Sequence, residues 1–358
     1  MRDDEVMQDL LTEHGAPIAH LLADPSVTEI CINRFDKVWV ERAGELERVD
    51  ARWRDERALV RFIKQIGVSL DQEVDEEHRP ILDARLPDGT RFNAALQPIS
   101  VGGASASLRP FPKTVFTLDD LMRFGAVTQP IREIFDIAIR HRLNVIVAGG
   151  TGSGKTTVLR CLAQLIPERD RVLTVEDTCE NLLPGHPHCV MLEAPRRRVG
   201  ADALVITLGS LIGDAMRKRP DRIVVGEIRT PEAAAAFVEA LNTGHDGTLT
   251  TIHANSGVDA LIRVQTLYAR QASNFSMSNI EKLVNSNVDL VIQAVREHDG
   301  DKVVRRVKEL LWVRGDDMVQ LVRHRRGYVQ DDAALGQFKA TFGCDHARTT
   351  GSSSDLAM

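Results

Sequence analysis

NVIVAGGTGSGKTTVLRCLAQLIP, running from Asn144 to Pro167, limits the fold more than any other stretch of this chain. Val145–Ala148 is an unbroken apolar run that ends in glycine. It is too short for a buried helix and reads as a strand covered on both faces. Strands of that kind belong to parallel sheets flanked by helices. The segment after the glycines has the composition of a helix. Between strand and helix lies GGTGSGKT, Gly149–Thr156, which fits the pattern G-x-x-x-x-G-K-[ST]. In that setting Gly149, Gly150, Thr151, Gly152, Ser153, Gly154, Lys155, Thr156 and Thr157 are the candidate phosphate-binding residues. Backbone N–H groups curl around phosphate oxygens, and the helix N-terminus adds a favourable field. Lys155 reaches the β- and γ-phosphates and Thr156 holds Mg²⁺, so the implied ligands are ATP and Mg²⁺.

The sequence around this unit divides in two. Residues 1–110 read as a small α+β domain. VTEICINRF and KVWVERAGELERV alternate as strands, with a turn at Ala43-Gly44-Glu45. DERALVRFIKQIGVSL has helical spacing, and ILDARLPDGTRFNAALQPI is a hairpin around Pro87-Asp88-Gly89. A Pro-bounded linker covers 111–117. From 118 to 342 strands and helices alternate. FTLDDLMRFG (capped by Thr117) and QPIREIFDIAIRHR are helices, and RVLTVED and DRIVVGE are strands. ADALVITLGSLIGDAMRKRP is mostly helix, and TPEAAAAFVEALNTG is a helix with Pro231 in its first turn. The rhythm implies a largely parallel sheet with helices on its faces. After Asp289 a hairpin of alternating strands follows, and the tail 343–358 is expected to be disordered.

Composition narrows the function classes. With 358 residues there is room for two domains. The net charge of −6 gives no general attraction to nucleic acid, and 4% aromatic residues argue against an extended base-stacking surface, so direct nucleic-acid binding is not indicated. The 5 cysteines form no C-x-x-C pair, which fits a reducing compartment. The acidic N-terminus has no apolar core of a signal peptide, and no run reaches membrane-spanning length. The expected location is the cytoplasm, with peripheral contact to the inner face of the membrane left open. Two short basic runs, Pro195–Arg198 and Arg323–Arg326, have the charge to touch acidic lipid or nucleic acid, but runs this short read first as solvated faces.

Three further elements bear on chemistry. Glu227 ends the buried strand DRIVVGE, where ligands collect in open α/β sheets and where P-loop proteins place a carboxylate toward Mg²⁺. Glu176, in TVEDTCE, closes the strand after the P-loop helix, where a carboxylate can deprotonate an attacking water. TGHDGTLTTIHAN, Thr243–Asn255, carries His245 and His253 at either end of a strand of small residues. Structural histidines, metal ligands and a nucleotide sensor all fit that pattern alone, though a metal site lacks its third and fourth ligands.

GGTGSGKTT, TVEDTCE, RPDRIVVGEIR and TGHDGTLTTIHAN, in this order, resemble the Walker A, Asp box, Walker B and His box of the type II/IV secretion ATPase superfamily, and its TrbB-type conjugative-transfer branch most nearly. DGTRFNAA and SLRPFPKTVFTLDDL resemble the segments that supply nucleotide-contacting arginines, here Arg91 and Arg109. Arg217 and Arg229 also fall at family-like positions. The resemblance covers most of the chain. It implies a RecA-like C-terminal domain with a smaller α+β N-terminal domain, and a homo-hexameric ring with ATP between the two domains. It also implies partners among the cytoplasmic and inner-membrane components of a secretion or conjugation apparatus. Glu176 becomes the catalytic base, Glu227 the residue toward Mg²⁺, and His245 and His253 readers of the γ-phosphate, with the small residues between them letting the strand approach the nucleotide. No tetracysteine zinc module of the type II branch is present, which favours the conjugative and pilus branches. Two rivals remain open: an unrelated P-loop kinase or helicase, and a protein that binds nucleotide without hydrolysing it.

Overall fold

The computed structural model describes residues 2–42, 44–111, 115–180, 182–194, 206–272, 274–300, 302–325 and 327–342. The run Pro195–Arg198, residues Pro112–Thr114 of the linker, and the tail from Gly343 lie outside the described residues. The chain divides into two compact units, Met1–Val115 and Phe116–Met358.

In the first unit two helices, α1 (Arg2–Glu13) and α2 (Ala16–Ala23), precede a sheet. Its strands are β1 (Val27–Arg34), β2 (Lys37–Arg42), β3 (Glu45–Val49), β4 (Ile81–Arg85), β5 (Arg91–Ala95) and β6 (Ser105–Arg109), with α3 (Glu56–Ser69) between β3 and β4. The sheet is antiparallel in the order β3-β2-β1-β6-β5-β4. α3 begins where the Asp55 side chain accepts from Ala58 N at 2.9 Å. Its Leu59, Phe62, Ile63 and Ile66 recur at helical spacing and pack on Ile30, Ile32, Phe92 and Leu108 of the sheet. Along β2, β4, β5 and β6 alternate residues enter that core, which makes them readable, whereas β3 is exposed except for half-buried Val49.

The second unit opens with α4 (Leu118–Arg123) and α5 (Gln129–Arg140). Thr117 caps α4 in a reciprocal box with Asp120. Then come β7 (Val145–Gly149), α6 (Lys155–Ala163), β8 (Val172–Glu176), β9 (Cys189–Glu193), α7 (Leu208–Met216), β10 (Arg222–Val225), α8 (Pro231–Asn242) and β11 (Leu249–His253). They are followed by α9 (Gly257–Ala269), α10 (Met277–Asn287), β12 (Leu290–Asp299), β13 (Lys302–Arg314), β14 (Asp317–His324), β15 (Tyr328–Gln330) and α11 (Asp332–Phe342). One sheet holds all these strands in the order β15-β14-β13-β12-β7-β11-β10-β8-β9. From β12 to β9 neighbours run parallel, while β13, β14 and β15 add an antiparallel edge. β7 shows why the central strands read as apolar runs. Val145 and Val147 enter the core under α5 and α6, while Ile146 and Ala148 enter the one under α8 and α9. Of the second basic run, Arg323 and His324 end β14, Arg323 lies 3.9 Å from Glu309, and Arg326 is outside the described residues. Among the described residues no helix is long and apolar enough to cross a membrane.

Candidate active site

Strand order assembles the site. β7, β11, β10 and β8 are consecutive neighbours and parallel, so their carboxyl ends lie side by side. Those ends carry, in the same order, the glycine loop, His253, Gly226-Glu227 and Glu176. A set scattered over about a hundred residues of sequence becomes one row along a sheet edge, where open α/β sheets bind ligands.

The loop at the end of β7 depends on its glycines. A Cβ on Gly149 would fall on the carbonyl oxygen of Ala294 in β12. Gly154, the N-cap of α6, takes φ +93°, a left-handed conformation that glycine adopts without strain. Lys155 is buried, and its Nζ donates to Gly150 O at 2.9 Å, bending back over its own loop. Burial holds the Lys155 ammonium below the usual lysine range, an effect that Glu227 opposes. Ser153 is buried and its Oγ has no hydrogen-bond partner. A curled backbone, a buried ammonium held by a loop carbonyl and a histidine nitrogen, with no carboxylate partner among the described residues, and an orphaned hydroxyl together fit a polyphosphate with its metal.

His253 joins the loop to the carboxylates. Its Nδ1 is 3.4 Å from Lys155 Nζ, and its Nε2 is 3.0 Å from Glu227 Oε1. That second approach is within ion-pair range without the direction of a hydrogen bond, so Oε1 counts among the buried atoms with no hydrogen-bond partner. An ammonium is a donor only, so Nδ1 is the accepting nitrogen and Nε2 carries the proton. Burial lowers the His253 pKa, Lys155, Arg229 and Arg263 add to the effect, and Glu227 works against it. The ring is therefore neutral at pH 7. Glu227 Oε2 accepts from Arg229 at 2.7 Å.

Glu176 ends β8 and is only 3% exposed. Its Oε1 accepts from Glu180 N at 2.8 Å, while Oε2 is buried without a partner. Burial pushes its pKa up to about 7, against the opposing hydrogen bonds from Glu180 N and the Cys179 side chain. Gly226 leaves room beside it, since a Cβ there would lie 3.3 Å from Glu176 Cγ.

Other expected residues fall elsewhere. His245 lies before β11, at the opposite end of that strand from His253. Its Nδ1 is 3.2 Å from Ala240 O and 3.2 Å from Thr243 Oγ1, so it closes the end of α8. It does not reach the phosphate loop of its own chain. The threonines between the two histidines serve the sheet: Thr251 Oγ1 donates to Gly226 O at 2.7 Å and Thr248 Oγ1 to His245 O at 2.7 Å. Arg217 is the exposed C-cap of α7. In the first unit Arg91 and Arg109 are register partners on β5 and β6, and Arg85 on β4 is the partner of Arg91. Arg85 was readable in principle, because counting outward from Asp88 in the hairpin pairs it with Arg91.

Residues 12–355 match the family described as Type II/IV secretion system protein. The conjugal transfer protein TrbB of Rhizobium radiobacter is 32% identical over 313 residues, 86% of this chain and 90% of that protein. The type IV secretion system protein VirB11 of Brucella suis is 30% identical over 313 residues, 80% of this chain and 86% of that protein. Among solved structures, the ATPase DotB of Yersinia pseudotuberculosis has the same fold, with a TM-score of 0.61 at 18% identity, over 87% of this chain and 79% of that one. The architecture is a RecA-like α/β unit with a smaller N-terminal unit, and the chain belongs to the type II/IV secretion system protein family.

Proposed function

We propose that this protein is an ATP hydrolase that powers a type IV secretion or conjugative-transfer machine through nucleotide-driven domain motion. Its working form is a homo-hexameric ring on the cytoplasmic side of the membrane, in contact with the inner-membrane components of that apparatus. The observation that carries the reading is Glu176: a buried carboxylate with a pKa of about 7 and an orphaned oxygen, in one row with Lys155, His253 and Glu227. A protein that only holds nucleotide has no use for such a base. Membership of the secretion family supports the same conclusion.

In this mechanism Lys155 and the loop N–H groups bind the phosphates and hold them in line. Glu176 accepts the proton of the attacking water at Oε2. Thr156 and Glu227 would hold magnesium, which, when bound, offsets the charge developing on the β- and γ-oxygens. Neutral His253, poised between Lys155 and Glu227, responds when Lys155 leaves the Gly150 carbonyl for phosphate, and β11 carries that change into the sheet. Arg91 and Arg109 supply charge from the first unit as it closes. His245 has no part at its own chain's phosphates in this scheme.

The test is ATPase activity per subunit as protein concentration is raised at saturating Mg-ATP. Activity that climbs and then levels off is expected, because the ring completes the site. Flat activity from a dilute sample that also sizes as monomer would remove the ring from the proposal.

A further inference from the structure

A pair of arginines overlooks the phosphate loop from the hairpin side. β12 runs parallel to β7 with Ala294 opposite Gly149, the last pair of that ladder. β12 then continues where β7 has turned into the loop. Arg296 follows two residues on, roughly 6–7 Å further along the strand and on the same face as Ala294. Directly opposite it on β13 is Arg305. Arg305 Nε donates to Gly152 O at 2.8 Å, and Arg296 Nη1 lies 3.8 Å from where a Cβ on Gly152 would stand. Both side chains belong to exposed residues.

Like charges directly opposite one another weaken an antiparallel ladder. Elsewhere on this hairpin the cations are offset: Lys308 lies 2.8 Å and Arg306 4.0 Å from Glu297. Among the described residues no carboxylate is within ion-pair range of Arg305, and its one hydrogen bond goes to the loop. Two guanidiniums held abreast over a loop shaped for phosphate are complementary to an anion seated there.

We infer that Arg296 and Arg305 are nucleotide-binding residues, forming a cationic wall that binds the polyphosphate of a nucleoside di- or triphosphate on the loop. The inference rests on the function proposed above. Arg305 holds the loop in shape through the Gly152 carbonyl, and its remaining N–H groups are free to donate to the ligand.

Titration of a fluorescent ADP into the full-length protein at low and high salt tests this, with Lys155→Ala as reference. If Lys155→Ala binds as wild type does, the nucleotide is not on the loop, and the proposed function fails together with this inference. With binding lost in Lys155→Ala, Arg296→Gln and Arg305→Gln should each weaken ADP roughly tenfold. They should also flatten the fall of affinity with salt, because a screened charge has been removed. Arg305→Lys should recover most of the affinity. Wild-type affinity and salt dependence in both glutamine variants would overturn the proposal. Equal losses in Arg305→Gln and Arg305→Lys with an unchanged salt slope would reduce Arg305 to a latch on Gly152 and overturn it as well. If Arg305→Gln does not fold, Arg296→Gln decides alone, since it leaves the Gly152 bond in place.

Discussion

The two edges of the large sheet bury polar groups to similar depth and treat them in opposite ways. At the amino edge Asn144 Oδ1 accepts from Gly247 N and Thr248 N, both at 3.0 Å, and its Nδ2 donates to Asn287 O at 2.8 Å. Arg222 Nε pairs with Asp170 at 3.0 Å and Nη2 donates to Ile139 O at 2.8 Å, leaving only Nη1 without a partner. At the carboxyl edge Ser153 Oγ, Glu176 Oε2 and Glu227 Oε1 have no hydrogen-bond partner. A satisfied buried group contributes to stability, and an orphaned one costs it. A fold keeps such a cost at one edge only where something arriving from outside completes the set. The contrast falls where the motifs place the site.

The largest expected effect breaks the carboxyl edge alone. Glu176→Gln should lower turnover by about a thousandfold while leaving the affinity for ADP near wild type. Single-turnover hydrolysis and nucleotide titration on the same sample check it, and retained turnover would remove Glu176 as the base. In the wild type, turnover should rise with pH through about 7 as that carboxyl ionises. Next in size is a break at the amino edge. Asn144→Ala strips the partners from buried Gly247 and Thr248 amides and should cost about 3 kcal/mol of unfolding free energy. ADP affinity should stay unchanged under native conditions. A loss of affinity without a loss of stability would contradict the division of labour between the edges.

The carboxyl edge was legible because its parts obey local rules. β7, β8 and β10 are covered on both faces and so appear as short apolar runs. The glycines follow from backbone conformation, and Glu176 and Glu227 follow from strand ends. The amino edge was not legible, because Asn144 works through residues as distant in sequence as Asn287. Arg296 and Arg305 escaped for a related reason: they act through a loop about 150 residues away, and only the register of β12 on β7 brings them there. β9 carries an apolar run, Cys189–Leu192, like its neighbours, but as the edge strand it is only half-buried and Met191 is exposed. α9 and α10 carry their sequence signal in the Ser256 and Ser276 caps, whose side chains accept from Asp259 N and Asn279 N. His245 and His253 look like a pair in sequence, yet within one chain a parallel strand presents only its carboxyl end, and so only His253, to the phosphate loop.

Stability sharpens the comparison at Glu176. Burial raises its folded pKa from 4.5 to about 7. Below about pH 4.5 the carboxyl is protonated folded or unfolded and contributes nothing. As pH rises from there to about 7 the unfolded chain ionises first, so the folded state loses stability across that window. Glutamine cannot ionise. Glu176→Gln should therefore be more stable than wild type above pH 7, by about 3 kcal/mol, with the gap closing toward pH 4.5. Denaturant titrations at pH 5 and pH 8 read the difference. An equal gap at both would mean that packing, not charge, sets it.

The finest contrast lies along β11, where one strand separates two histidines. His253→Ala removes the ring between Lys155 and Glu227 and should slow hydrolysis about tenfold, with little change in melting temperature, since its side chain is 36% exposed. His245→Ala removes a bond at the end of α8 and should cost less than about 1 kcal/mol, with hydrolysis unchanged. Activity and thermal unfolding measured on both variants give a two-by-two result. If His245→Ala slowed hydrolysis in an assembled ring and left stability alone, His245 would act at a neighbouring subunit, and the edge of the sheet would no longer be enough to tell a structural histidine from a functional one.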